Sequence, residues 1–310
     1  MKIIDFHCDT ISKIYYNDSQ LDHNNFSVDI KKLKEANSLA QFFALFIEKT
    51  SNEDPFNLCS KMLDKFYYEL NKNKNSISLA TNYDDIIKNK SENKISTFLT
   101  IEEGAVLKGS LLNLKHFYEK GVRLITLTWN FPNEIGYPNA IPKYRNKGLT
   151  PFGIELINEM NNLNMIIDVS HLSDGGFYDV AKYSKTPFVA SHSNSRSVTN
   201  HPRNLTDDMI KTLANKGGIM GINFFGEFLG GGKFSTINDM ITHIKHIKNV
   251  GGIDVISLGS DFDGIDSNLE INNIGEIYKL INALKVNGFT ENDIEKICFK
   301  NALRIIKDIC

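Results

Sequence analysis

The feature that most constrains the fold of this chain is a long alternation of short apolar runs with amphipathic stretches. Eight runs recur: Ile3–Phe6, Ser38–Ile47, Ile95–Ile101, Val122–Thr128, Met165–Ser170, Pro187–Ser191, Gly218–Phe224 and Asp254–Leu258. Continuous apolar runs of this kind suit parallel strands covered on both faces, and parallel neighbours need a crossover between them. The intervening sequence supplies helices for that purpose. Pro55–Leu70 carries Phe56, Cys59, Met62, Leu63, Phe66 and Leu70 at helical spacing. Pro151–Leu163 opens with Thr150 as an N-cap and Pro151 at the first helical position. Asp174–Tyr183, Thr206–Asn215, Ile237–Val250, Ile274–Val286 and Glu291–Ile309 follow the same logic, the last begun by a capping box of Thr290 and Asp293. Eight strands alternating with helices predict an α/β fold, a (β/α)8 TIM-like barrel. A doubly wound sheet would place a glycine-rich phosphate loop after its first strand. Here that strand runs into His7-Cys8-Asp9. No low-complexity linker divides the 310 residues, so 1–310 reads as one barrel domain.

In such a barrel the chemistry gathers at the C-terminal ends of the strands. Five of the eight runs end in ligand-type residues: Asp5-Phe6-His7-Cys8-Asp9, Ile101-Glu102-Glu103-Gly104, Asp168-Val169-Ser170-His171, Ser191-His192-Ser193 and Gly259-Ser260-Asp261-Phe262-Asp263-Gly264. His7 and Asp9 are two residues apart, so they share a strand face while Cys8 takes the other. An imidazole beside a carboxylate offers two ligands for Zn²⁺ or a similar cation. A lone His-x-Asp would be an ordinary polar turn, but four further strand ends on the same rim argue for a site. His171 and His192 add two imidazoles. Glu102 can bridge, and inward parity running on from Thr100 selects it over Glu103. Three His, one Asp and one Glu are too many for one tetrahedral zinc with an open position, and suit two cations sharing a carboxylate and a water. Asp261, at the end of the last strand, is the candidate acid/base. Asp263-Gly264 reads as a turn.

Composition narrows the alternatives. A formal net charge of −2, from 35 Lys plus Arg against 37 Asp plus Glu, gives no global field for nucleic acid or an anionic membrane. The 41% hydrophobic and 23% charged fractions are those of a globular protein. Cys8, Cys59, Cys298 and Cys310 show no CxxC pair and read as free thiols in a reducing compartment. No apolar run approaches a membrane span, and the N-terminal run lacks a small-residue cleavage site. The expectation is a cytoplasmic protein. Gly230-Gly231-Gly232 marks a loop that either covers the site or is surface slack. His201, His243 and His246 read as surface or supporting residues, not ligands.

Taken in order, these motifs, with Leu127-Thr128-Trp129-Asn130 and His201-Pro202-Arg203-Asn204-Leu205, resemble the membrane dipeptidase (renal dipeptidase) family of dinuclear zinc peptidases, in particular its bacterial members. The resemblance runs through most of the chain. It implies that His7 and Asp9 hold one Zn²⁺, that His171 and His192 hold the other, and that Glu102 and a water or hydroxide bridge the two. It places the acid/base aspartate at Asp261 and the substrate-carboxylate arginine at Arg203, a role that planar guanidinium chemistry suits. From the residues alone, Arg203 would read as a surface salt bridge; the nearby Arg196 lacks the following Asn-Leu. Animal members carry a His after Leu-Thr where this chain has Trp129, which can donate one indole N–H bond but not replace an imidazole as proton donor. The implied activity is hydrolysis of dipeptides, including those with a C-terminal D-residue, by a homodimer such as relatives form. The alternative is a dinuclear amidohydrolase acting on another amide or a lactone.

Overall fold

A computed structural model describes residues 1–48 and 53–310. Among the described residues, eight parallel strands close into a barrel. They are β1 (Ile3–Asp5), β2 (Ser38–Phe46), β3 (Ile95–Glu102), β4 (Val122–Thr126), β5 (Ile166–Asp168), β6 (Val189–Ala190), β7 (Ile219–Ile222) and β8 (Ile256–Leu258). Each pairs with the next, and β8 returns to β1 through Asp5 and Leu258. The fold is the expected (β/α)8 barrel. The closing seam is tied by Asp5, whose buried carboxylate accepts from the Ser260 amide (2.8 Å), the Ser260 hydroxyl (2.7 Å) and Gln41 Nε2 (3.0 Å).

Two apolar layers result. Ile4 and Phe6 of the β1 segment, Phe42, Phe98, Leu124, Ile166, Val189 and Ile219 form one cluster. Residues from seven strands can meet only inside the barrel. Phe42 stacks between Phe6 and Phe98, with ring centroids 4.2 and 4.6 Å away. Ile305, Ile306 and Ile309 of the C-terminal helix Asn301–Ile309 belong to the same cluster and plug the lower end. The alternate strand residues, among them Ile3, Phe43, Ile101 and Ile125, pack outward against the helices.

The helices begin where the sequence places their caps. The Thr150 hydroxyl accepts from the Gly153 amide and Pro151 opens Pro151–Asn162. Thr290 and Asp293 form the full capping box of Glu291–Glu295. Several short helices escape the periodicity argument: Thr10–Tyr16, Ile30–Glu35, Tyr83–Ser91 and Leu111–Glu119. Fewer than three turns give too few apolar repeats to separate a helix from a loop. Glu291–Ile309 is also not one uniform helix, because a π-helical turn spans Lys296–Lys300. It delivers Asn301, whose Nδ2 donates to the Ile253 and Ile256 carbonyls (2.8 Å each) beneath β8.

Candidate metal centre

The rim at the C-terminal ends of β1, β3, β5, β6 and β8 brings together the six residues expected there, lining or underlying a cleft of about 490 Å³. His7, Asp9, Glu102, His171, His192 and Asp261 are all buried. Glu102 lies at their centre. Its Oε2 is 3.1 Å from His7 Nε2, while its Oε1 is 3.0 Å from His171 Nε2 and 3.5 Å from His192 Nε2. His7 Nε2 is also 3.6 Å from Asp9 Oδ2 and 3.8 Å from Asp261 Oδ1. Ligand atoms of His7, Glu102 and His192, and likewise of His7, Asp9 and Asp261, lie within 4.8 Å of one another. Proximity alone thus groups His7 with both sides; the two oxygens of Glu102 divide them.

The tautomers follow from what the far ring nitrogens touch. Ser191 Oγ donates to Asp168 Oδ2 (2.6 Å), so it accepts from His192 Nδ1 (2.7 Å). His171 Nδ1 donates to Asn130 Oδ1 (3.1 Å). Both Nε2 atoms then carry lone pairs, yet they face each other at 3.0 Å and both face Glu102 Oε1. Three acceptors converging in a buried space are satisfied by a cation. On the other side, both ring nitrogens of His7 and Asp9 Oδ1 are buried with no well-formed hydrogen bond among the described residues. The His and carboxylate donor set therefore fits divalent transition-metal ions.

Electrostatics lean the same way. Burial, reinforced by Arg203, pushes His171 down to about 4, and burial with the charge on His7 holds His192 well below its usual range. Burial opposes a charge on His7 too, but Glu102 and Asp9 outweigh it and hold the imidazole well above its ordinary value. Burial opposes the charge on Glu102, but the charge on His7 holds the carboxyl well below its usual range. Burial raises Asp9 to about 6, against the pull of His7. Burial, with the Asp9 and Glu102 charges, raises Asp261 to about 7.

Two of these residues sit in the left-handed backbone region: His171 at φ +67° and Asp261 at φ +63°. For residues with a Cβ this costs about 1–3 kcal/mol each and persists only where surroundings over-determine it. The Asp261 amide donates to the His7 carbonyl (3.2 Å), and its own carbonyl accepts from Gly264 (3.1 Å). A Cβ on Gly264 would fall 2.0 Å from Asp9 Oδ2 and 2.7 Å from Asp261 Oδ1, so only glycine admits both carboxylates.

The other candidates sort cleanly. Cys8 is buried and its thiol donates to the Phe42 carbonyl (3.4 Å). Glu103 turns away from the histidines, bonded to the Ala105 and Trp129 amides and to Asn133. Asp263 accepts from Thr10 Oγ1 (2.6 Å) and the Ser27 amide (2.7 Å), a turn as expected. Arg196 is locked on Asp174 by two bonds of 2.7 and 2.8 Å. Arg203 is not at the surface, as the residues alone suggested; it is 3% exposed. It donates to the His192 carbonyl (3.1 Å) and Ser193 Oγ (3.4 Å), and its Nε has no hydrogen-bond partner among the described residues. Trp129 lines the cleft, 4.9 Å from the Phe46 ring. His243 is fully buried, accepting from the Ser195 amide and donating to the Leu229 carbonyl.

Sequence reasoning missed Asn130, Asp168, Ser191 and Asn223. Asp168 accepts from Thr126, Ser191 and the Ser170 and Ser191 amides, and Asn223 Nδ2 donates to Asp261 Oδ2 (2.8 Å). Asp168 shares inward parity with Ser170, and Asn223 with Ile219, so strand alternation could have found both. Replacing Asn130 by Ala should weaken divalent-metal retention about 10–100-fold by freeing His171 to rotate. Metal content after dialysis against graded chelator checks this, and unchanged retention would contradict it.

Comparison with known proteins identifies the family. The sequence profile of the membrane dipeptidase family (peptidase family M19) matches residues 1–310. A Klebsiella pneumoniae uncharacterized protein encoded 5′ of pqqA is 35% identical over 229 residues, 70% of this chain and 84% of that one. An uncharacterized dipeptidase of Schizosaccharomyces pombe is 32% identical over 299 residues, 90% of this chain and 71% of that one. A Rhodobacter sphaeroides metallopeptidase, solved with a phosphinate mimic of the dipeptide L-Ala-D-Ala, superposes with a TM-score of 0.93 at 22% identity, covering 100% of this chain and 99% of that one. The chain belongs to the membrane dipeptidase family and is a metallodipeptidase, a hydrolase of peptide bonds.

Proposed function

We propose that the centre holds two zinc ions, one on His7 and Asp9 and the other on His171 and His192, with Glu102 shared between them. The observation that carries this reading is the division of Glu102, with Oε2 toward His7 and Oε1 toward His171 and His192. When bound, such ions supply an acidified water and a Lewis acid for the scissile carbonyl. The protein groups do the rest. Asp261, held through Oδ2 by Asn223, takes the proton from the attacking water and passes it to the departing amine. Arg203, with an unpartnered buried Nε, binds the free C-terminal carboxylate and so limits the substrate to two residues.

Phe46 and Trp129 wall the cleft from the ends of β2 and β4, and Phe225 and Phe228 wall it from the end of β7. On the barrel these are opposite sides of the rim, which leaves an apolar face for each side chain of a dipeptide. Trp129 then contributes a wall and one indole donor where a histidine would offer a proton. An L,D pair fits this reading, as the mimic bound to the Rhodobacter sphaeroides protein does for that enzyme. The free cysteines accord with a cytoplasmic location, and no described helix is long and apolar enough to cross a membrane. We take residues 1–310 to work as one barrel unit, as a homodimer, with no nucleic-acid or membrane partner.

A panel of L,L and L,D dipeptides, their C-terminal amides and N-acyl amino acids tests the substrate. Zinc-loaded protein should release free amino acids from dipeptides, lose this with chelator and regain it with zinc. Equal rates on acids and amides would remove the carboxylate clamp, and cleavage of N-acyl amino acids alone would point to the amidohydrolase alternative. Asp261→Asn should keep its metal content and lose about 10²–10⁴-fold in turnover. Near-wild-type rates in that variant would take Asp261 out of the mechanism.

A further inference from the structure

Arg203 presents a problem that its hydrogen bonds do not solve. It is a buried cation; Asp261, Glu102 and Asp168 act on its charge from a distance, but among the described residues no carboxylate pairs with it directly. Its contacts are the neutral oxygens of His192 and Ser193. The group that covers it is the ring of Phe228, whose centroid lies 5.2 Å from the guanidinium carbon. An aromatic face attracts a guanidinium through its quadrupole, most strongly where water is excluded. Unlike a carboxylate, it uses none of the N–H donors.

The ring is itself held in place. His201 packs on it at 4.6 Å and Phe225 meets it edge-on at 4.7 Å. The Phe228 carbonyl accepts from Asn204 Nδ2 (2.8 Å), and the next carbonyl, of Leu229, accepts from Thr199 Oγ1 and from His243 Nε2 (2.9 Å). His243 in turn accepts from the Ser195 amide (3.1 Å). The short helix Gly226–Leu229 is thereby fastened to the 195–204 segment that carries Arg203. Phe228 is only half-buried and also lines the cleft, so its ring spans from the guanidinium to the substrate space.

We infer that Phe228 is a positioning residue for the Arg203 clamp, fixing and desolvating the guanidinium while leaving its donors free for the substrate's carboxylate. This rests on the proposed role of Arg203. It assigns Phe228 a part in recognising the free C-terminus, separate from any packing against a side chain.

The test compares a dipeptide with its C-terminal amide as substrates of the metal-loaded full-length protein. Phe228→Leu keeps apolar bulk and removes the ring face. It should raise KM for the acid about ten- to thirty-fold. The amide, which meets the same altered apolar wall but offers no carboxylate, should lose at least about three-fold less than the acid. Phe228→Tyr should restore the acid's KM. A wild-type acid-to-amide ratio in Phe228→Leu, or equal losses on both substrates, would reduce Phe228 to packing and overturn the inference. Arg203→Lys separates the premise from the inference. If it collapses the ratio while Phe228→Leu does not, only Phe228 is wrong; if it leaves the ratio intact, the clamp itself falls.

Discussion

Three imidazole nitrogens converge on one buried carboxylate, Glu102, and much of the upper barrel is arranged to keep them there. Two of those imidazoles are held neutral, with their outer nitrogens engaged by Asn130 and Ser191, so lone pairs point at an anionic oxygen. Left unsatisfied, each such buried polar atom costs about 1–3 kcal/mol. The arrangement is coherent only as a cradle for positive charge. The third imidazole, His7, works among Asp9, Glu102 and Asp261, whose charges hold a proton on it. Protons and metal ions therefore compete for the same atoms, and metal affinity should weaken as pH falls.

The barrel supplies what a surface loop could not. Every strand end is fixed by its neighbours, so residues from five separate strands reach one point with little conformational freedom to lose. The lower interior is filled by stacked phenylalanines and sealed by the C-terminal helix. Above it lies a polar layer in which Asp168 collects two hydroxyls and two amides, joining the β4, β5 and β6 segments beneath the histidines. The rim carries backbone strain of its own, at the left-handed His171 and Asp261. Both have their backbone groups engaged, the His171 carbonyl by the Asn139 amide and Asp261 by His7 and Gly264.

Much of this was legible in the sequence because it follows from periodicity. Eight apolar runs locate the eight strands, though the paired segments are shorter: Pro187–Ser191 contributes only Val189–Ala190 to the ladder. Inward parity through Thr100 selected Glu102, and Glu103 indeed turns away to the Ala105 and Trp129 amides. Parity stops where the strand stops, however. His171 and Asp261 lie past strand ends in left-handed conformations, which no alternation rule anticipates. Burial of Arg203 was hidden for another reason. Its surroundings come from the loops after β6 and β7, and the packing of Phe228 on it joins residues 25 positions apart in sequence. Asn130 and Ser191 were invisible as supports because hydrogen-bond partners of histidine carry no spacing signature.

The central claim is that Glu102 divides two metal ions between its oxygens. Anomalous diffraction at the zinc edge, from crystals of the zinc-loaded full-length protein, addresses it directly. The account predicts two peaks, one bounded by His7 and Asp9 and the other by His171 and His192, with Glu102 touching both. A single peak, or two peaks of which only one contacts Glu102, would contradict it.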